Sequence, residues 1–358
     1  MSSRGIVMIL SGFPRHSETF AANEILALEQ RGALAAIFAT KQGEPLALQP
    51  SGKMLSARVR ILSGASASEQ ADEIVHWLAG KNVNGVHGYF AHFPAEVAEQ
   101  VAARMAIPYS FSIHARDARK VDRQMLAARA RQAACVVACN RDVAGELNGS
   151  GARVVVVPHG VDLERFHPES FPGTQVLHVL AVGRLVEKKG FHVLLEAAAR
   201  LRIPFEMTIA GEGPERKRLE DLIRQHGLGP RVRLCGATTH DDLPALYSSA
   251  HLLAAPSIVD HTGDRDGLPN VVLEAMASGR PVIGSTAGAI ASAVVPQETG
   301  LLVSPNDAAS LAAAIEELGR DPATLRRLGE NARRRVERDY DMRRCTDEFC
   351  HLLRSVYA

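Results

Sequence analysis

A chain of 358 residues has room for two domains of ordinary size, and 46% hydrophobic with only 5% aromatic residues is the aliphatic make-up of helices packed on parallel sheets. With 41 Lys and Arg against 40 Asp and Glu there is no global field to recruit nucleic acid, so nucleic-acid partners are excluded. Five cysteines without a C-x-x-C pair read as reduced thiols of a cytoplasmic protein, and no run of about 18 apolar residues is present to span a membrane.

The first apolar run, GIVMIL, is too short for a signal segment and reads as a β-strand. Further strands are expected at 34–39, 58–62, 85–87, 109–113, 135–138 and 154–157, with helical stretches such as SETFAANEILALEQRG and PAEVAEQVAARMA between them. Gly12 follows the first strand, where the missing side chain either lets a substrate approach or simply suits a turn. Ser17 or Thr19 would cap the helix that starts near Glu18. The phrases VHGYFAHFPAEVA and PYSFSIHARDARK supply His87, His92, His114 and Asp117. A histidine after a strand is more often structural, but His114 ends the strand YSFSI on the side where parallel sheets bind ligands. The basic stretch from Arg116 to Arg131 reads first as a solvated helix face.

The Pro- and Gly-punctuated segment HGVDLERFHPESFPGTQ places a domain boundary near Glu169, giving residues 1–168, 169–340 and a final helix in 341–358. The strand–helix rhythm restarts at 177–182 and continues at 207–210, 232–234, 252–255 and 281–284. In AVGRLVEKKG, Gly183, Arg184 and Lys189 lie on the loop after a strand, and two cations there would offset the charge of a diphosphate. Two solvated basic side chains are the plain alternative. In MTIAGEGPERKRLE, Gly211 and Gly213 sit between strand and helix, but Arg216 fills the third glycine's place, so NAD is rejected.

The segment GDRDGLPNVVLEAMASGRPVIGS is the most informative. Asp266 and Glu274 lie eight positions apart, before and inside a helix entered through Gly267, Leu268, Pro269 and Asn270. A helix start offers unpaired N–H groups and suits phosphate, and carboxylates on either side suit sugar hydroxyls. That is the outline of a nucleotide-sugar site. No cluster of carboxylates has metal-ligand spacing.

This segment resembles the Glu-x7-Glu signature of family-4 retaining glycosyltransferases, with their EAMA-x-G-x-PV continuation. The phrases G-R-L-x-x-x-K-G, G-E-G-P and H-A-R-D are similar to motifs of the same family, and SGFPRHSETF resembles the opening of bacterial exopolysaccharide enzymes of the colanic-acid type. The resemblance runs from Phe13 to Pro305. It implies an α/β GT-B fold: two Rossmann-like, doubly wound parallel-sheet domains facing across a cleft, with a C-terminal helix crossing back to the first. It implies a hexosyltransferase of polysaccharide or cell-envelope glycan synthesis, with a UDP- or GDP-sugar as donor and a saccharide or lipid-linked saccharide as acceptor. No cofactor or metal is obligatory in such enzymes.

By that resemblance Arg184 and Lys189 grip the donor phosphates, and Glu274 holds the ribose. Asp266 and His114 position the hexose, and Asp117 orders its loop. Gly183, Gly211, Gly213, Gly267, Leu268 and Asn270 line the donor pocket, while Gly12 and His92 lie near substrate. It also implies a cytoplasmic location, with peripheral contact at the inner membrane leaflet through the basic stretch as the alternative to a solvated face. The chain departs from the pattern at Asp266, where the family has Glu. Two alternatives follow: a non-catalytic nucleotide-sugar-binding protein, and a sugar-nucleotide epimerase, against which G-R-L-x-x-x-K-G counts.

Overall fold

Runs that are apolar at every position are stable as strands only where both faces are covered, and here they build two parallel sheets. The computed structural model describes residues 5–15, 19–44, 50–115, 119, 121–173 and 175–358. Strands β1 (Gly5–Leu10), β2 (Leu34–Ala39), β3 (Val59–Ile61), β4 (Val83–Gly88), β5 (Tyr109–Ile113), β6 (Cys135–Ala138) and β7 (Val154–Val156) pair in the order β3-β2-β1-β4-β5-β6-β7. Strands β8 (Leu177–Val182), β9 (Phe205–Ala210), β10 (Val232–Gly236), β11 (Leu252–Ala255), β12 (Val282–Ser285) and β13 (Gly300–Val303) pair as β10-β9-β8-β11-β12-β13. The strand β13 is absent from the sequence reading, because four residues, GLLV, carry no periodicity that separates strand from loop. In each sheet the chain order reverses beside a central strand, between β1 and β4 and between β8 and β11. Such a switch point opens a ligand crevice at the strand C-termini.

Successive residues of β1 feed opposite cores: Val7 and Ile9 pack with Phe38, Val86 and Phe111, while Ile6, Met8 and Leu10 pack with Ile37 and Ala39. The first core is closed by the helix Ala67–Leu78, which starts at a capping box of Ser66 and Glu69 and buries Ala67, Ala71, Ile74 and Leu78 on one stripe. The second is closed by Thr19–Gln30 and by the last helix, Met342–Val356, through Phe349, Cys350 and Leu353. Just beyond that helix, the Tyr357 hydroxyl donates to the Val86 carbonyl (2.6 Å) and meets Ser110 Oγ (2.5 Å). Gly85 makes room for the ring, since a Cβ there would lie 2.1 Å from a ring carbon.

The compact units are Met1–Gly160 with Arg343–Ala358, and Val161–Met342. The division therefore falls after Gly160, ahead of the Glu169 expected from sequence. Val161 exchanges backbone hydrogen bonds with Tyr340 (2.9 Å) and Met342 (3.1 Å), and Phe166 is buried with Leu180, Val182 and Tyr247. Two anchors five positions apart among polar residues leave no readable pattern. The basic stretch is also less solvated than expected. Arg119 pairs with Asp142 (2.7 Å) and Glu146 (3.0 Å), and buried Arg129 pairs with Glu99 (2.9 Å). Ser17 and Glu18, expected at the first helix start, lie outside the described residues, as do Arg116 and Lys120.

Candidate functional site

In the second unit, the loops after β8 and β11 meet at the switch point. A single 3-10 turn, Glu187–Lys189, follows β8, and Ile258 N donates to the Lys188 carbonyl (2.8 Å), tying the two loops together. Lys189 Nζ lies 2.8 Å from Asp266 Oδ2, and Lys188 Nζ lies 2.9 Å from Asp264 and 3.7 Å from Asp266 Oδ1. Ser257 donates to Asp266 Oδ2 (2.9 Å), and Ser285 donates to the Ser257 carbonyl. Burial pushes the Asp266 carboxyl up, but Lys189, Lys188 and Ser257 outweigh it and hold its pKa below the ordinary value. Asp266 is thus an ionised, buried partner of Lys189. Arg184 is exposed two residues after β8 and makes no ion pair among the described residues.

Past the Gly267–Leu268 turn, Pro269 occupies the N-cap with φ −68° and ψ 134°, one position earlier than a first-turn proline, and the helix Asn270–Ala277 follows. No side chain caps it, so its first N–H groups stay available to an anion. Glu274, 6% exposed, accepts from the Tyr247 hydroxyl at Oε2 (2.8 Å), and His240 Nε2 stands 3.8 Å from Oε1. Burial, then the charge of Glu274 and its hydrogen bond, raise the Tyr247 pKa well above its ordinary value, so the hydroxyl keeps its proton and donates. Tyr247 is seated in turn by Arg280, whose Nε donates to the Tyr247 carbonyl (2.9 Å) and whose Nη2 donates to Ser248 (3.1 Å). Burial lowers the Arg280 pKa to about 10. Tyr247, His240 and Arg280 escaped the sequence reading. A tyrosine beside two serines in PALYSSAH and a cation at the variable place of G-x-PV carry no signal of their own.

The glycines gather where loops cross. A Cβ on Gly211 would lie 1.9 Å from the Gly183 carbonyl oxygen, and one on Gly213 would lie 2.3 Å from that of Leu185. The Gly-x-Gly turn therefore lets the loop after β9 lie directly on the loop after β8. A Cβ on Gly288, whose φ is +69°, would lie 2.0 Å from the Asp266 carbonyl oxygen in the same way, a closeness that no motif announces.

In the first unit, Gly12 follows β1, and His92, just ahead of the helix Phe93–Met105, lies 3.2 Å through Nε2 from Ser11 Oγ. His114 stacks with Tyr89 (5.7 Å between centroids) and with His159 (5.1 Å). His159 and its partner Glu24 are also new relative to the sequence reading; Nδ1 of the histidine lies 2.9 Å from Glu24 Oε1. His87 is structural: its two nitrogens meet Ser110 (2.6 Å) and Ser112 (2.9 Å) inside the sheet. Asp117 lies outside the described residues. No group of three or more His, Cys, Asp or Glu residues suited to a metal ion occurs among the described residues.

The model of Glycosyltransferase Family 4 matches residues 17–165, and that of Glycosyl transferases group 1 matches residues 164–335. A putative colanic acid biosynthesis glycosyltransferase of Salmonella typhimurium is 34% identical over 222 residues, 60% of this chain and 54% of that protein. A glycogen synthase of Mycobacterium tuberculosis is 35% identical over 212 residues, 58% of this chain and 50% of that protein. The chain spans about half the length of the curated relatives it matches. Among solved structures, sucrose-phosphate synthase from Thermosynechococcus elongatus aligns with TM-score 0.80 at 24% identity over 99% of both chains. An Anabaena protein in complex with UDP aligns with TM-score 0.83 at 18% identity over 99% of this chain and 100% of that one. At those identities the likeness is one of fold.

Proposed function

This chain belongs to the group 1 and family 4 glycosyltransferases and has their GT-B fold, and from that premise we propose that it moves a hexose from a nucleoside-diphosphate-sugar to a saccharide or lipid-linked saccharide, with retention, in polysaccharide synthesis. The observation that carries the reading is the Lys189–Asp266 pair beside an uncapped helix whose Glu274 is held by Tyr247. Domains divide the labour: the second unit takes the donor, and the first takes the acceptor.

Lys189, Arg184 and the N–H groups near Gly267 to Asn270 neutralise the diphosphate as the bond to the anomeric carbon breaks. The acceptor oxygen bonds that carbon, and its proton leaves with the diphosphate. Glu274 is preset for ribose: Oε2 is fixed by Tyr247, and Oε1 is the oxygen offered to hydroxyls. The lysine is shared between Asp266 and the phosphates, which keeps the buried carboxylate partnered before the donor arrives. Asp266 orients the hexose. The UDP complex of the Anabaena protein supports UDP as the first nucleotide to try.

A thermal-shift panel of UDP, GDP, ADP, CMP and NAD tests this. A nucleoside diphosphate at a hundred times its Kd adds about 2.7 kcal/mol of stability. One diphosphate is expected to stabilise the protein and to lose its effect in Glu274→Ala. Stabilisation by none, or by NAD alone, sinks the reading; binding without transfer in both the wild type and Asp266→Glu favours the non-catalytic binder.

A further inference from the structure

The first unit contains a polar and aromatic assembly that the donor chemistry does not use. Glu24, in the helix Thr19–Gln30, is 4% exposed, yet both its oxygens are engaged: Tyr89 donates its hydroxyl to Oε2, and His159 Nδ1 lies 2.9 Å from Oε1. A carboxylate offers only lone pairs, so Nδ1 carries the imidazole hydrogen. Burial lowers the His159 pKa against the opposing pull of Glu24, so the ring is neutral near pH 7 and Nε2 holds a bare lone pair. Nε2 is buried and has no hydrogen-bond partner among the described residues. A buried acceptor left in that condition is unfavourable, and a ligand's donor relieves it.

The surroundings narrow the ligand. The His159 ring stacks on Phe20 with centroids 4.0 Å apart and lies nearly parallel to His114, 12° off at 5.1 Å. The three residues are each partly buried, and the His159 side chain keeps 16% of its surface exposed. Flat rings beside one neutral acceptor suit a sugar, which has C–H faces to lay on rings and hydroxyl donors at its rim. The described ring contacts of His159 are Phe20 and His114, and its described ion-pair partner is Glu24.

We propose that His159 Nε2, oriented by Glu24, accepts a hydrogen bond from a hydroxyl of the acceptor saccharide, so that Phe20, His114 and His159 form a saccharide subsite of the first unit. The word acceptor rests on the transferase reading; recognition of the sugar does not. Glu24 and Tyr89 are positioning residues acting through His159.

The test uses the full chain with 15N-labelled histidine and millimolar UDP, titrated with methyl α-glucoside, methyl α-galactoside and methyl α-mannoside, the His159 signals being assigned by their loss in His159→Asn. The expected spectrum has a bare Nε2 and a protonated Nδ1, and at least one glycoside moves the Nε2 signal. Glu24→Gln, which keeps the side chain's size, is expected to weaken that glycoside about tenfold and to leave the UDP effect unchanged. A protonated Nε2 in the wild type, no glycoside response, or an unweakened glycoside in a folded Glu24→Gln overturns the proposal. The first two readouts are taken on the wild type, with a folded His159→Asn needed for assignment alone. Loss of the UDP effect with an intact glycoside response counts against the donor reading alone; the converse counts against this one alone.

Discussion

Tyr247 is the residue whose removal reads most directly on the donor site. It donates one hydrogen bond to Glu274 from a fully buried position, and a bond to a charged group contributes about 1.5–3 kcal/mol. Tyr247→Phe is therefore expected to weaken the stabilising nucleotide about tenfold or more, with the fold intact, measured by titration calorimetry. An unchanged Kd would mean that Glu274 is oriented by something else. Asp266 is argued differently, since it balances Lys189 in a buried pair. Removing one partner leaves an uncompensated charge, so Asp266→Ala is expected to cost about 3 kcal/mol by urea unfolding, and adding Lys189→Met should recover part of it. If the double variant is no more stable than the single, the pair is not what stabilises the loop.

Loops and helices show how far sequence carries. The segment that holds Asp266 and Glu274 is legible because donor groups and their spacing lie within one turn and one helix. Tyr247, Glu24 and His159 are not, because each acquires meaning from a partner far away in the chain: Glu274, Tyr89 and Glu24 respectively. Both sheets are legible from apolar runs, while β13 and the anchors Val161 and Phe166 are too sparse to register. Gly288 illustrates the same limit, since only packing reveals that its neighbour is the Asp266 backbone. Gly288→Ala is expected to cost about 1–3 kcal/mol and to weaken nucleotide binding, because it adds a clash to a left-handed backbone. Gly263→Ala is the control: φ is +80° but nothing lies within 4 Å, so it should cost about 1 kcal/mol or less and spare binding.

His87 reports on the sheet–helix junction. Burial, with the charge of His114 second, lowers its pKa from 6.5 to about 3. The folded ring stays neutral while the unfolded chain takes up a proton below pH 6.5, so this contribution is complete above that pH and declines as pH falls toward 3. Between pH 6.5 and 5 the loss is about 2 kcal/mol, and His87→Gln should lack that part of the slope in urea unfolding measured at both pH values. Parallel slopes for the two proteins would refute it.

On the scale of the whole molecule, the two units have separate cores, each sheet flanked by its own clusters. Gly85→Leu should expel the Tyr357 ring and lower the unfolding midpoint of the first unit while leaving the second unit's transition in place, as read by amide hydrogen exchange. Equal loss of protection in both units would show that they unfold as one. The last helix also sets an order of events during synthesis. All seven strands of the first sheet leave the ribosome well before Phe349, Cys350 and Leu353, with the entire second unit between them. One face of the nascent sheet therefore has Thr19–Gln30 over it but not the last helix throughout that interval, which leaves the kind of greasy surface a chaperone holds until the final turns of helix arrive.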